Sequence, residues 1–516
     1  MSDTNRVAIR ALKESTYGVV PNGAGNLDFL ELQITNSSVG FAPSTTVSEK
    51  LRSDRQIDDL PLVGGEASGD IGSELSFAGH DLLLEGALFS TFQDRGRRLN
   101  DESTSGTQIS AAVASSDAFT VTDESNTILA DDIVRAEGFT DAANNGFFVA
   151  DTGSSNTSWI MATDYAGVAA ALADETPGTG ARLTVVGHRT ANGDVDATAA
   201  SAGVATITSA ASGFGTLGLE AGDWIKLAGF GETTPAAVAN NTFVRVTVVS
   251  NATLTLDNLP TDWTAETLGG SDAVDIFLGE RLKNGTTLQT YVLEEEFADH
   301  SPVTYQYFRG MAVDGLSVSA SPQSIVTMGY TFSGKDGFFS DNSTPATAAQ
   351  LPGGVTSGRA TAAVTYTTQG EIPVMNSSSN VGRISRGGSA ISGANFVLEA
   401  SVEIANNIRQ LNAVGFLGAV DVGIGEFSVS GTLNTYFDDA SLARDVIANT
   451  DSSFSLQFDD GDDHNVVIDV PRIKFSDGMP DLSGKNADVT LSLSYQAIRE
   501  TTFDNTLRWM RFTGVQ

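Results

Sequence analysis

Few residues of this sequence stand at spacings that support chemistry. The closest approach to a phosphate cradle is Gly329-Tyr330-Thr331-Phe332-Ser333-Gly334-Lys335. Asp336 then stands where a Ser or Thr hydroxyl would hold magnesium, the preceding residues alternate as a strand, and no helix follows to aim its amides at an anion. Asp459-Asp460-Gly461-Asp462-Asp463-His464 offers hard oxygen ligands for calcium, but it has neither the loop length nor the distal Glu of an EF-hand. Lying between two apolar runs, it reads as a hairpin turn. The histidines His80, His188, His300 and His464 are scattered, with none at the i, i+4 spacing of a zinc helix. No Gly-x-Ser-x-Gly elbow occurs, and no carboxylate pair stands out from an acid-rich background. The expectation is a chain that is not an enzyme, with no catalytic residue, no cofactor and no metal ligand.

What holds these residues is a chain of short strands. With 53 Gly, 41% hydrophobic and 18% charged residues, the composition is globular and favours strands and turns. At 516 residues it exceeds the roughly 250–300 at which one hydrophobic core stops growing, so several domains are expected. There is no cysteine, so packing, hydrogen bonds and assembly must hold the fold. Met1 to Arg10 has no apolar signal core, and no run of about 18 apolar residues could cross a bilayer as a helix. A product made in the cytoplasm, with no membrane partner, is expected. The 64 acidic against 29 basic residues give a net charge of −35, which opposes binding to phosphates. Such a surface suits a conduit past which DNA slides without sticking, and equally a merely soluble exterior.

A tandem repeat occupies the middle of the chain. Leu129-Ala130-Asp131-Asp132-Ile133-Val134-Arg135-Ala136-Glu137-Gly138-Phe139 is echoed, with one inserted residue, by Leu219-Glu220-Ala221-Gly222-Asp223-Trp224-Ile225-Lys226-Leu227-Ala228-Gly229-Phe230. Asn144-Asn145 then matches Asn240-Asn241, Thr157 to Ile160 parallels Ala252 to Leu256, and each copy closes on a strand, Leu183 to Gly187 and Val274 to Gly279. Two small all-β modules are predicted, at 110–197 and 198–285.

The flanking sequence carries a more distant duplication. Asp70 to Phe77 reads as a strand before a helix from His80 to Phe92, and Glu426 to Leu433 as a strand before a helix from Asp438 to Asn449 with Leu442, Val446 and Ile447 on one face. Three strands follow each helix, after the insertion in the first case. Residues 341–360, rich in Pro, Gly, Ser and Thr, read as a linker. The expected division is 1–109 and 286–340 for the first of these domains, and 361–516 for the second.

The ordered strings Gly69 to Leu88, Glu294-Glu295-Glu296-Phe297, Phe308 to Val318, Ile325 to Met328, Val429 to Asp438 and Val470 to Lys474 resemble tail tube proteins of long-tailed, siphovirus-type phages. The resemblance covers about 25–100 and 286–516 and leaves the two modules outside it. It implies β-sandwich or barrel domains, each with a flanking helix and a long loop, whose inner strands join those of neighbours around a lumen. Most such proteins form hexameric rings. A fused pair of tube domains implies a trimer with pseudo-sixfold symmetry.

The fold expected is therefore mainly β, with two tail-tube-type domains and two inserted β modules. The expected function is a structural virion protein that assembles in the host cytoplasm and polymerises as stacked rings, giving the channel for DNA ejection. Its partners would be itself, the tape-measure, tail terminator and baseplate proteins, and passing DNA without sequence-specific binding. Thr45 to Gln56 and Ser401 to Arg409 occupy the position of the family's long loop, so Glu49, Arg52, Arg55, Glu403, Asn406 and Arg409 are candidates for contacts between rings or subunits. Glu294, Glu295 and Glu296 are candidates for a negative lumen. The modules would project from the outer wall, so removing about 110–285 is expected to leave tube formation intact. A bacterial surface-layer or adhesin-like β-repeat protein is the alternative, and a polysaccharide depolymerase a third reading without a catalytic constellation to support it.

Overall fold

The computed structural model describes residues 3–21, 27–93, 100–102, 108–122, 128–178, 180–211, 213–341, 343, 364–368, 372–378, 381–386, 389–390, 397–437, 440–461, 464–482, 484–485 and 488–514. The linker reading at 341–360 falls outside these residues except at Asp341 and Ser343. The chain is mainly β, with large antiparallel sheets in sandwich-like layers and, among the described residues, two short α-helices.

Eight antiparallel strands form one continuous sheet. In order across it they are Gly40–Thr45, Leu62–Glu74, Thr327–Gly334, Thr304–Ala320, Val397–Ala405, Ser428–Tyr436, Thr490–Ala497 and His464–Asp477. The first four belong to one half of the chain and the last four to the other, in the same structural order. Two irregularities recur at matching points. Thr304–Ala320 bulges against Tyr291–Phe297 beside Leu293 and against Thr327–Gly334 between Val313 and Gly315. His464–Asp477 bulges against Ser452–Asp459 beside Phe454 and against Thr490–Ala497 between Phe475 and Asp477. Bulges re-aim a strand at a fixed place, so their recurrence marks two copies of one design.

Each copy lays a helix on the sheet. In α1, Asp81–Leu88, the buried Leu83, Leu84, Ala87 and Leu88 form one face, and Asp81 sits in the first turn where a negative charge is favourable. Phe89 ends it in the left-handed conformation (φ 49°), and Asn449 ends α2, Ser441–Ala448, in the same way (φ 49°). Within α2 Leu442 is buried and Val446 packs on the core, but Ile447 is 74% exposed. At 3.6 residues per turn, Ile447 lies well round the cylinder from Leu442, so the three-residue face expected from sequence narrows to two.

The tandem repeat is a structural duplicate as well. Gly138 (φ 77°) and Gly229 (φ 94°) hold equivalent left-handed turns, and a Cβ on either would lie 2.2 Å from a carbonyl oxygen, of Gly180 or Ala273. Asn145 Oδ1 accepts from Phe139 N at 3.0 Å, and Asn241 Oδ1 from Phe230 N at 2.8 Å. Two carboxylates are equivalent too: Glu175, partly exposed, accepts from the amides of Thr140 and Asp141, and the buried Glu266 from those of Gly231, Thr233 and Thr234. The closing strands Arg182–Arg189 and Asp275–Leu278 pair with each other, Gly187 opposite Phe277, which fuses both copies into one sheet.

This insert does not hang free of the rest of the chain. It leaves the first half after α1, yet it docks on the second half through crossed ion pairs. Cross-strand neighbours Asp469 and Arg508 face Arg245 and Asp223 of the insert, with Arg245 Nη1 3.2 Å from Asp469 and Arg508 Nη1 2.5 Å from Asp223. Asp223 also accepts from Arg281 at 2.8 Å. Trp224, Phe243, Val467, Met510 and Phe512 form an apolar cluster beside them. The strand Glu280–Lys283 then pairs with Arg508–Thr513 before the chain returns to the first half.

Removing one partner of a buried ion pair strands the other charge, at a cost of about 3–5 kcal/mol. Asp223→Ala should therefore lower stability in urea titration by about that much, far more than alanine at the exposed pair Arg499–Asp504. Deletion of 110–285 would remove Arg245, Asp223 and the strand Glu280–Lys283 together. On this geometry the shortened chain should show a lower midpoint and bind a hydrophobic dye, rather than assemble as the sequence alone suggested.

Candidate functional site

One face of the eight-stranded sheet packs on the core through Ile71, Tyr330, Phe332, Leu316, Val318, Val402, Ile404, Leu433 and Leu493. Strand periodicity puts the alternate residues on the opposite face. There Ser68, Asp70, Thr327, Thr331, Ser317, Glu403, Ser492 and Gln496 are exposed, with Ser401, Ser430, Thr432 and Ser494 partly so. Short hydroxyl and amide side chains cover this face, and they bond to one another across strands. Thr331 Oγ1 donates to Asp70 at 2.7 Å, the Ser401 and Thr432 hydroxyls lie 2.9 Å apart, and Asn434 Nδ2 donates to Glu399 at 2.9 Å. Gly72, Gly315 and Gly329 leave a depression of about 400 Å³ across the middle, bordered by Asp70 and Glu403. Arg472 and Lys474 on the eighth strand are also on this face, both paired with Asp451, so a surface of self-satisfied hydroxyls, scattered carboxylates and neutralised cations offers a polyanion little to hold.

Two long loops leave this sheet from the ends of its strands. Residues 46–61 run between Gly40–Thr45 and Leu62–Glu74, and residues 406–427 between Val397–Ala405 and Ser428–Tyr436. In the first, Arg52 bridges Asp54 and Asp58, both at 2.7 Å, Lys50 joins Asp58 at 2.9 Å, and Glu49 and Arg55 are exposed. Val47, Leu51, Ile57 and Leu60 also stand uncovered on it. The second contains a ribbon, Arg409–Leu411 with Asp421–Gly423, where Arg409 is exposed and where Val414 and Phe416 project outward.

A family model described as phage tail tube protein matches residues 166–497, well over half of the sequence. The chain belongs to the phage tail tube family. The match begins inside the first repeat copy and runs through the second, so it includes part of the insert that the resemblance by strings left out. No curated protein matches the chain. As a tail tube protein it is a structural component of the virion tail and assembles with itself into a tube.

Within this tail tube chain the residues singled out from sequence lie in different surroundings. Glu403 is on the polar face. Asn406 is buried at the junction of the two halves, where its Nδ2 donates to Ala87 O and Val313 O, each at 2.9 Å. Glu294, Glu295 and Glu296 are on the strand Tyr291–Phe297, apart from the polar face. Glu294 is buried, accepting from Tyr307 Oη at 2.7 Å and Arg10 at 3.0 Å, and Glu296 meets Arg10 at 2.6 Å. Glu295 is buried with Ser37 Oγ donating at 3.1 Å, and burial pushes its carboxyl above the ordinary range. The phosphate-cradle string is strand, Thr327–Gly334, and Asp336 beyond it pairs with Arg309 at 2.6 Å. Sequence reasoning passed over the polar face because Ser and Thr alternating in strands is the commonest solvent pattern, and only the sheet order reveals that six such rows are contiguous.

A raised carboxyl prefers its protonated form in the folded state. The stability tied to Glu295 is therefore full at acid pH and is lost as pH rises through its folded value. Glu295→Gln should melt a few degrees above the wild type at pH 8 and level with it at pH 4 in scanning calorimetry.

Proposed function

We propose that three copies of this chain close a ring whose lumen is lined by the polar sheet face, that rings stack through the two long loops, and that DNA leaves through the resulting channel. The observation that supports the reading most strongly is the junction within one chain. Thr304–Ala320 of the first half pairs with Val397–Ala405 of the second, Gly315 opposite Ala405 through Ala320 opposite Ala400. Among the described residues, the equivalent edges at the two ends of the sheet, Gly40–Thr45 and the Asp477 end of His464–Asp477, pair on one side only. Unpaired edges invite another strand, and like edges related by a rotation close into a ring. Two such halves per chain give six positions from three chains. The net charge of −35 suits passage of a polyanion without capture.

Electron microscopy of the purified protein, with mass measurement of the smallest closed ring, tests this. Hollow tubes of constant diameter built from trimeric rings are expected. A six-chain ring would overturn the subunit count, and flat lattices or a persistent monomer would overturn the channel.

A further inference from the structure

The equivalence between the halves is close enough to read the contact between copies residue by residue, resting on the ring reading above. Ser38 Oγ accepts from Asp70 N at 2.9 Å, and Ser401 Oγ accepts from Thr432 N at 3.0 Å. Gly69 and Gly431 lie beside these bonds, where a Cβ would strike Ser38 O or Ser401 O. Ser38 is thus the counterpart of Ser401. Counting along the strands makes Gly40 the counterpart of Glu403, Ala42 of Ala405 and Pro43 of Asn406. On the facing strand the shared bulge makes Asp477 the counterpart of Gly315, and Met479 of Ser317. The internal pair Ser317 opposite Glu403 then maps to Met479 opposite Gly40 of a second copy.

One position breaks the symmetry. Asn406 closes the internal junction with its backbone amide, which donates to Asp314 O at 2.7 Å, and with its side chain, which ties the last turn of α1 to the neighbouring strand. Pro43 has no amide hydrogen and no polar side chain, and it is exposed on the open edge. Proline on an edge strand is a common guard against unwanted pairing. We propose that Pro43 is an assembly guard: the contact between copies uses the register of the internal junction, and Pro43 withholds the hydrogen bonds that lock that junction, so subunits remain separate until a ring is templated. The partner at this edge is a second copy of this chain, met at Asp477–Asp481.

The test uses the full chain. Pro43→Asn restores the donors and should lower the protein concentration at which sedimentation detects polymer by about tenfold, the effect of one or two hydrogen bonds, with the melting of the monomer unchanged. Ser44→Asn, one residue along, should leave it unchanged. An unchanged or higher threshold for P43N overturns the guard. Because the chain has no cysteine, Gly40→Cys with Met479→Cys should give disulfide-linked copies in assembled material, as Ser317→Cys with Glu403→Cys should link within one chain. Gly40→Cys with Leu482→Cys should not. Polymer that forms without the G40C/M479C link overturns the register while sparing the tube reading, whereas absence of any ring or tube from the wild type overturns that reading itself.

Discussion

Backbone hydrogen bonds between Thr304–Ala320 and Val397–Ala405 are the constraint on which this architecture rests. A buried strand edge must find donors and acceptors, and here each half supplies what the other lacks. That single pairing makes two sheets into one, places the last turn of α1 against Asn406, and gives the insert a second half to dock on. It also leaves one edge open at each end of the sheet. The inner strands are well suited to this, because their core face is continuous through the junction: Leu316 and Val318 lie opposite Ile404 and Val402, all buried.

The charge distribution follows a related economy. Cations are scarce in this chain, and Arg10, Arg245, Arg281 and Arg508 are all buried with carboxylate partners. Arg245 and Arg508 join the insert to the second half, whereas Arg10 ties two strands of the first half together. A guanidinium can serve two carboxylates in a plane, as Arg245 does for Asp257 and Asp469, so a few arginines fix several junctions. Among the described residues eight carboxylates are buried, Glu14, Asp132, Asp223, Glu266, Asp275, Glu294, Glu295 and Asp469, so these four arginines meet an interior that is itself acidic, and the exterior keeps most of the acidic excess.

Much of the fold was legible because it is written in local patterns. The tandem copies announce themselves through Gly138 and Gly229 and the paired asparagines, residues whose turn geometry tolerates little else. The strand-before-helix order of the two halves is visible through apolar alternation, whereas the left-handed stop at Phe89, short of the expected end at Phe92, is not. The docking of the insert was not legible: Arg245 and Asp469 are far apart in sequence, and nothing local to either residue names its partner. The acid run Glu294 to Glu296 looks like a solvated strand, and only the neighbouring strand Val7–Lys13, which brings Arg10 alongside, shows that Glu294 and Glu295 are buried. Pro43 and Asn406 became comparable only after the strand register aligned them.

The insert leaves the chain once for every two sheet segments, and it is fastened across the junction inside the chain. In a ring of three chains the channel would thus repeat six times around its axis while the outside repeats three times. Whatever slides through would meet a nearly smooth track. Whatever grips the tube from outside would find only three equivalent settings, so the outer wall would hold a record of subunit orientation that the lumen has erased.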